Sequence, residues 1–411
     1  MSSEAATHPL SFGGAADSKT ATATAIKRLP WYCFAVAFGA LCIPLGVLWD
    51  ISWHSTIGRD TCWTPAHMLI YNGGALPGLL CGWLVLKTTF WGTVEEKARS
   101  VRVWGFSGPL GAWVVIWGSI AMITSAPFDD WWHAAYGLDV KILSPPHTLL
   151  ALGMYGVAIG AWLLVLSWQN RAGEDAPAVQ RAGTWLFIIT GGVLIAMLNI
   201  FMTEFSLPND QRTATFYQVS CTAYPFYMTI LARASKTRWA ATKASLVYMA
   251  IVAVMAWILP LFAAQPMLAP IYNPVTRMVP PAFPLLLVFP ALIVDFLVQA
   301  SDRKGPRTAL RDAWLAAKVA FAFVAVFLLV QWNFSALLIS PAADNWLLIG
   351  KNHFGYMVRP GEWQHQFWSI DPNARFNNAF TPAGAAVALG LAFVASWIGL
   401  WRGTGMKAVK R

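Results

Sequence analysis

Residues 30–49 read PWYCFAVAFGALCIPLGVLW, a run with no charged side chain, and residue 50 is an aspartate. A helix rises about 1.5 Å per residue, so such a run covers the roughly 30 Å hydrocarbon core of a bilayer. Nine more apolar runs follow, at about 67–88, 105–127, 147–168, 183–203, 216–233, 244–264, 281–299, 314–336 and 381–401. They are continuous and lack the period-two alternation of a membrane β-barrel. Composition agrees: 57% of the chain is apolar and 12% charged, against about 25% charged in a soluble domain. The sequence therefore predicts an all-α polytopic integral membrane helical bundle of about ten transmembrane helices in contact with the lipid bilayer.

The net charge of +10 would suit nucleic acid if it formed one patch, but it does not. With ten spans, the outward turns carry only Arg59, Lys141, Arg212, Arg277, Lys351, Arg359 and Arg375 of the 29 basic residues. Basic residues gather on the cytoplasmic side of membrane proteins. Both termini are thus expected in the cytoplasm, in a bacterial inner (cytoplasmic) membrane, with no nucleic-acid partner. Residues 1–28 read as a disordered cytoplasmic tail, and the first run lacks a small-residue cleavage site, as a retained helix would. The inner loop 234–243 is the natural seam between a six-helix unit, 29–235, and a four-helix unit, 236–411, which carries a long outer loop at 337–380. Of the five cysteines, Cys33, Cys42, Cys81 and Cys221 fall in or at the ends of spans and Cys62 in an outer turn. No CxxC is present, which disfavours thiolate metal sites.

The polar residues at two outward turns repeat. Residues 49–67 read WDISWHSTIGRDTCWTPAH and residues 128–147 read FDDWWHAAYGLDVKILSPPH. Each copy carries Asp-x3-His, a glycine four residues later, an aspartate two residues after that, and a Pro-x-His or Pro-Pro-His ending. If the first helix of each pair continues through its Asp and His, both side chains share a face. Proline is tolerated at a helix N-terminus, so the last histidine stands where the next helix begins. Asp50, His54 and His67 can converge on one point, and so can Asp129, His133 and His147. Two imidazoles and a carboxylate form a first-row transition-metal ligand set: the facial arrangement suits iron as Fe(II), and imidazole-rich sites also suit copper and zinc. Asp60, Asp130 and Asp139 are candidates to orient the imidazoles. Trp49, Trp53, Trp131 and Trp132 read as interface anchors. His353 and His365, in the outer loop, read more readily as exposed loop side chains than as ligands. Glu204 stands either at a functional depth or among headgroups, and His8 lies in the tail.

The run WHSTIGRDTCWTPAH, residues 53–67, resembles the C-subunit signature of the copper membrane monooxygenases, the family of particulate methane and ammonia monooxygenase. In that family an Asp-x3-His-x12-His triad on adjacent helices binds copper, and Asp50, His54 and His67 match it. A second family site, Asn-x3-His-x13-His, is matched in spacing by Asp129, His133 and His147, with aspartate in place of asparagine. Residues 28–235 thus look like a C subunit. Residues 283–295, FPLLLVFPALIVD, and 355–359, GYMVR, resemble membrane segments of the A subunit. The resemblance implies an oxidoreductase that oxidises a small apolar substrate or ammonia with O2, with Asp50, His54 and His67 as the catalytic ligands. It also implies oligomers and partner subunits, including a periplasmic cupredoxin-like subunit that this chain lacks. The residues alone leave open a non-enzymatic copper or zinc carrier, sensor or transporter, and a structural subunit whose triads are vestigial.

Overall fold

The computed structural model describes residues 28–59, 61–137, 144–172, 177–303, 307–368 and 379–411, with the side chain of Glu204 outside the description. In chain order the helices are α1 (Trp31–Thr56), α2 (Pro65–Trp91), α3 (Val94–Ala98), α4 (Leu110–Tyr136), α5 (Pro145–Arg171) and α6 (Pro177–Phe201). They continue as α7 (Thr203–Ser206), α8 (Ala214–Ala234), α9 (Ala240–Ile258), α10 (Val288–Asp302), α11 (Ala309–Leu338) and α12 (Pro382–Met406). The only named strands among the described residues, β1 (Val101–Val103) and β2 (Phe106–Gly108), form an antiparallel hairpin between α3 and α4. The protein is an α-helical membrane bundle.

Each of the ten apolar runs contains a helix. Eight of these helices, among the described residues, are long and apolar enough to cross a bilayer. The other two, α8 and α10, depart for physical reasons. The α8 sequence is rich in Thr, Ser and Tyr, and Tyr217 and Tyr224 are fully buried against neighbouring helices. α10 is only 15 residues long, about 22 Å. The run at 281–299 predicts a continuous helix, yet residues before Leu287 remain non-helical. Pro280, Pro281 and Pro284 withhold amide donors and disfavour helix at the residues before them. Backbone at membrane depth must find partners inside the protein. Here the Leu285 amide donates to Tyr248 Oη at 2.9 Å and the Leu286 amide to Gln331 Oε1 at 3.0 Å.

α1 pairs with α2 and α4 with α5; α2 packs on α4, α1 on α5 and α6, and α8 chiefly on α12. Small residues let the paired backbones touch. A Cβ on Gly46 of α1 would meet the Ile70 amide nitrogen of α2 at 2.9 Å, and one on Gly118 of α4 would meet the Val157 nitrogen of α5 at 2.6 Å. The start of α1 and the ends of α5 and α12 share one face. Tyr32 lies beside Trp168 with the rings tilted by 58°, and Asn170 Nδ2 donates to the carbonyls of Met406 and Val409, each at 2.9 Å. The same face holds Arg233, fully buried, with its Nη2 3.1 Å from Asp312 Oδ1. Both repeated turns lie at the opposite face, where α1 and α4 end.

Candidate metal centre

The repeat has a local structural cause in each copy. α1 runs through Asp50 and His54 to Thr56, and α4 runs through Asp129 and His133 to Tyr136. Gly58 and Gly137 then take positive φ values of 83° and 89°, a conformation open to glycine at little steric cost. Pro65 and Pro145 occupy the first positions of α2 and α5, where a missing N–H leaves no partner unsatisfied. His67 and His147 are therefore the third residues of their helices. Trp53 does more than anchor the interface, because its indole N–H donates to the Arg59 carbonyl at 3.0 Å and ties the turn to α1.

In the first copy, His67 Nε2 lies 3.1 Å and His54 Nε2 3.8 Å from Asp50 Oδ1. The three donor atoms lie within 4.8 Å of one another. Ligand atoms each about 2 Å from a common ion stand roughly 3–3.5 Å apart, so the triad needs only small side-chain shifts to hold one ion. The tautomer strengthens this reading. His67 Nδ1 is 2.9 Å from the Thr61 carbonyl oxygen. A carbonyl only accepts, so Nδ1 carries the hydrogen, and a neutral ring turns the Nε2 lone pair toward the carboxylate. Two lone-pair atoms facing each other at 3.1 Å need a cation or a proton between them. Asp50 Oδ1 is buried and has no hydrogen-bond donor among the described residues. The centre is half-buried, and its open side is at His54, whose side chain is 48% exposed.

The second copy repeats the arrangement more loosely. His133 Nε2 approaches Asp129 Oδ2 at 3.4 Å, while His147 Nε2 approaches the other oxygen, Oδ1, at 3.5 Å. His133 Nδ1 lies 3.2 Å from the Gly137 carbonyl, so here a backbone carbonyl faces the first histidine of the motif and not the last. Asp129 Oδ1 is likewise buried, without a donor among the described residues. An aromatic group of Phe128, Trp131, Trp132 and Tyr136 surrounds this end of α4. The two rings straddle the carboxylate, so an ion shared by all three would need it to turn.

The other polar residues sort differently. Asp130 is exposed, and among the described residues it makes no hydrogen bond to an imidazole; backbone carbonyls orient His67 and His133 instead. Asp60, Asp139 and His8 lie outside the described residues. Neither His353 nor His365 is an exposed loop side chain. His365 Nδ1 faces the Ile339 carbonyl at 2.7 Å, with Nε2 3.4 Å from Asp344 Oδ2. His353 Nδ1 faces the Gly350 carbonyl at 2.6 Å, and its Nε2 is enclosed. No short-range pattern marks that enclosure, because the walls come from helices far away in sequence. The thiols of Cys33, Cys42, Cys81 and Cys221 are buried and Cys62 is exposed, all unpaired.

Fold and site together define a class: an α-helical integral membrane protein with two Asp-His-His clusters at one end of its bundle. The chain matches no family model, no curated protein and no solved structure.

Proposed function

We propose that this is a membrane metalloprotein that binds copper at Asp50, His54 and His67, and a second ion at Asp129, His133 and His147. The observation that carries the reading is the His67–Asp50 contact, in which a backbone carbonyl engages Nδ1 and Nε2 stands 3.1 Å from a buried carboxylate oxygen. A redox-active ion held by these three ligands would offer a binding position for O2 and relay electrons to it, the two electrons per turnover coming from an external reductant such as a quinol. Asp50 supplies charge, the Thr61 carbonyl sets the His67 ring, and His54 lines the accessible edge. In keeping with the resemblance, the activity proposed is oxidation of a small apolar substrate or ammonia. Partner subunits would include a periplasmic cupredoxin-like protein, and the assembly would be oligomeric. The basic-residue asymmetry supports putting the centres on the side away from the cytoplasm, which in the proposed bacterial inner membrane is the periplasm.

The half-exposed His54 also favours a second reading, a carrier or sensor that exchanges copper or zinc with a soluble partner. Metal analysis and X-ray absorption on purified protein, beside His54→Ala and His133→Ala, tests the common premise. The expected result is nitrogen- and oxygen-coordinated copper that falls in each variant. Unchanged copper in His54→Ala overturns the assignment of the first centre. Oxidation of a small apolar substrate by copper-loaded membranes separates enzyme from carrier.

A further inference from the structure

α1 has a second functional face. Successive helical residues turn by about 100°, so Leu48, Ile51, Ser52 and Ser55 look away from Asp50 and His54. They line a cavity of about 200 Å³, which is closed by Asn199 near the end of α6, Val252 of α9, the non-helical segment 279–283 and His353 from the outer loop. Two polar atoms of its lining residues, Ser52 Oγ and His353 Nε2, are buried and without a hydrogen-bond partner among the described residues. Buried polar atoms are normally paired, and leaving one unpaired is costly. The Gly350 carbonyl holds the hydrogen of His353 on Nδ1, so Nε2 is an acceptor. Ser52 Oγ can donate or accept. Leu48, Ile51, Val252 and Phe283 supply apolar wall. The volume is close to the roughly 150 Å³ that accommodates benzene.

We infer that this cavity is a binding site for a small neutral molecule with a single hydroxyl on a short hydrocarbon body, a short-chain alcohol whose O–H donates to His353 Nε2 with Ser52 Oγ as second partner. Burial holds the His353 imidazole well below its usual range, at about 4, so the acceptor nitrogen persists at neutral pH. Water would pair the two polar atoms but leave the apolar wall without a partner. The site uses no metal ligand and stands whether or not the triads hold copper.

The test uses the full chain in lipid nanodiscs and two isomers, 1-butanol and diethyl ether, which share a formula but differ in the O–H. Saturation-transfer NMR should show saturable binding of 1-butanol over the ether. That saturable signal should vanish in Ala282→Phe, which fills the cavity. It should weaken about fivefold in Ser52→Ala and in His353→Phe, the loss of one hydrogen bond. Equal signals from the two isomers would overturn the inference. So would a 1-butanol signal unchanged in a correctly folded Ala282→Phe, because it would report lipid partition, and so would the absence of saturable binding, which would mean a water-filled cavity. Circular dichroism on each variant keeps misfolding from passing as lost binding.

Discussion

Thr61 offers His67 a carbonyl oxygen at 2.9 Å, and Gly137 offers His133 one at 3.2 Å. Backbone atoms therefore orient these two rings among the described residues, and no side-chain substitution can remove them directly. The ligand carboxylate is the accessible lever. Asp50→Asn keeps shape but drops the charge, and should weaken copper binding by more than about tenfold in chelator competition. Asp129→Asn should cost less at its own site, because the two rings there reach different oxygens. His353 gives a pH prediction. Its folded value of about 4 lies below the ordinary 6.5. Between those values the unfolded chain binds the extra proton, so stability falls as pH drops from about 6.5 to about 4 and rises again as pH increases. Thermal melts across that window should show the slope in the native chain and a shallower one in His353→Gln. The closeness of Asp50 to His54 and His67, and of Asp129 to His133 and His147, was legible from spacing because each partner lies one turn of helix away or just past one inter-helix connection of eight residues. His353 was not, because residues some 300 positions upstream in the cavity wall enclose it.

Gly46 sets the separation of α1 and α2 one turn before Asp50. Gly46→Val should force the helices apart and lower copper content at the first centre. Gly82→Ala, at a position where a Cβ would meet nothing within 4 Å, should leave it unchanged, and elemental analysis of both variants decides. The non-helical segment before α10 depends on Gln331, which accepts from Leu286 while its amide donates to Gln211 Oε1 at 2.7 Å. Gln331→Leu should lower stability by about 1–3 kcal/mol, read from denaturant unfolding, since it leaves buried polar groups unpaired. Hydropathy revealed the ten helical regions but not this break. An apolar run of Leu and Val reads alike whether helical or extended, and only the prolines hint at the difference.

The seam at 234–243 does not separate two independent packings, since α8 lies chiefly against α12, and α6 and α1 lie against α9. Local hydrophobic patterns mark each element and carry no record of which partner it chooses, so this interleaving had no sequence signal. At the face where α8 and α12 end, Asp312 and Asp302 flank the fully buried Arg233, at 3.1 Å and 3.8 Å. The double variant Asp302→Ala/Asp312→Ala should therefore destabilise the bundle by about 3–5 kcal/mol, and Arg233→Met by less, because only the former strands a buried charge. Melting of the two variants side by side checks the order.

At the other face, the outer end of α1 is gripped from the far half of the chain: Val279 donates to Thr56 Oγ1 at 2.8 Å, Tyr356 to the Ser55 carbonyl at 3.0 Å and Met267 to the Ile57 carbonyl at 2.9 Å. Ribosomes deliver residues in order, so α1 emerges well before the segments that brace its outer tip. Among the described residues, no hydrogen bond from that far half reaches the outer ends of α4 and α5. A nascent chain would assemble its Asp129 cluster ahead of its Asp50 cluster, and loading of the Asp50 cluster would report that the segments up to Tyr356 have arrived.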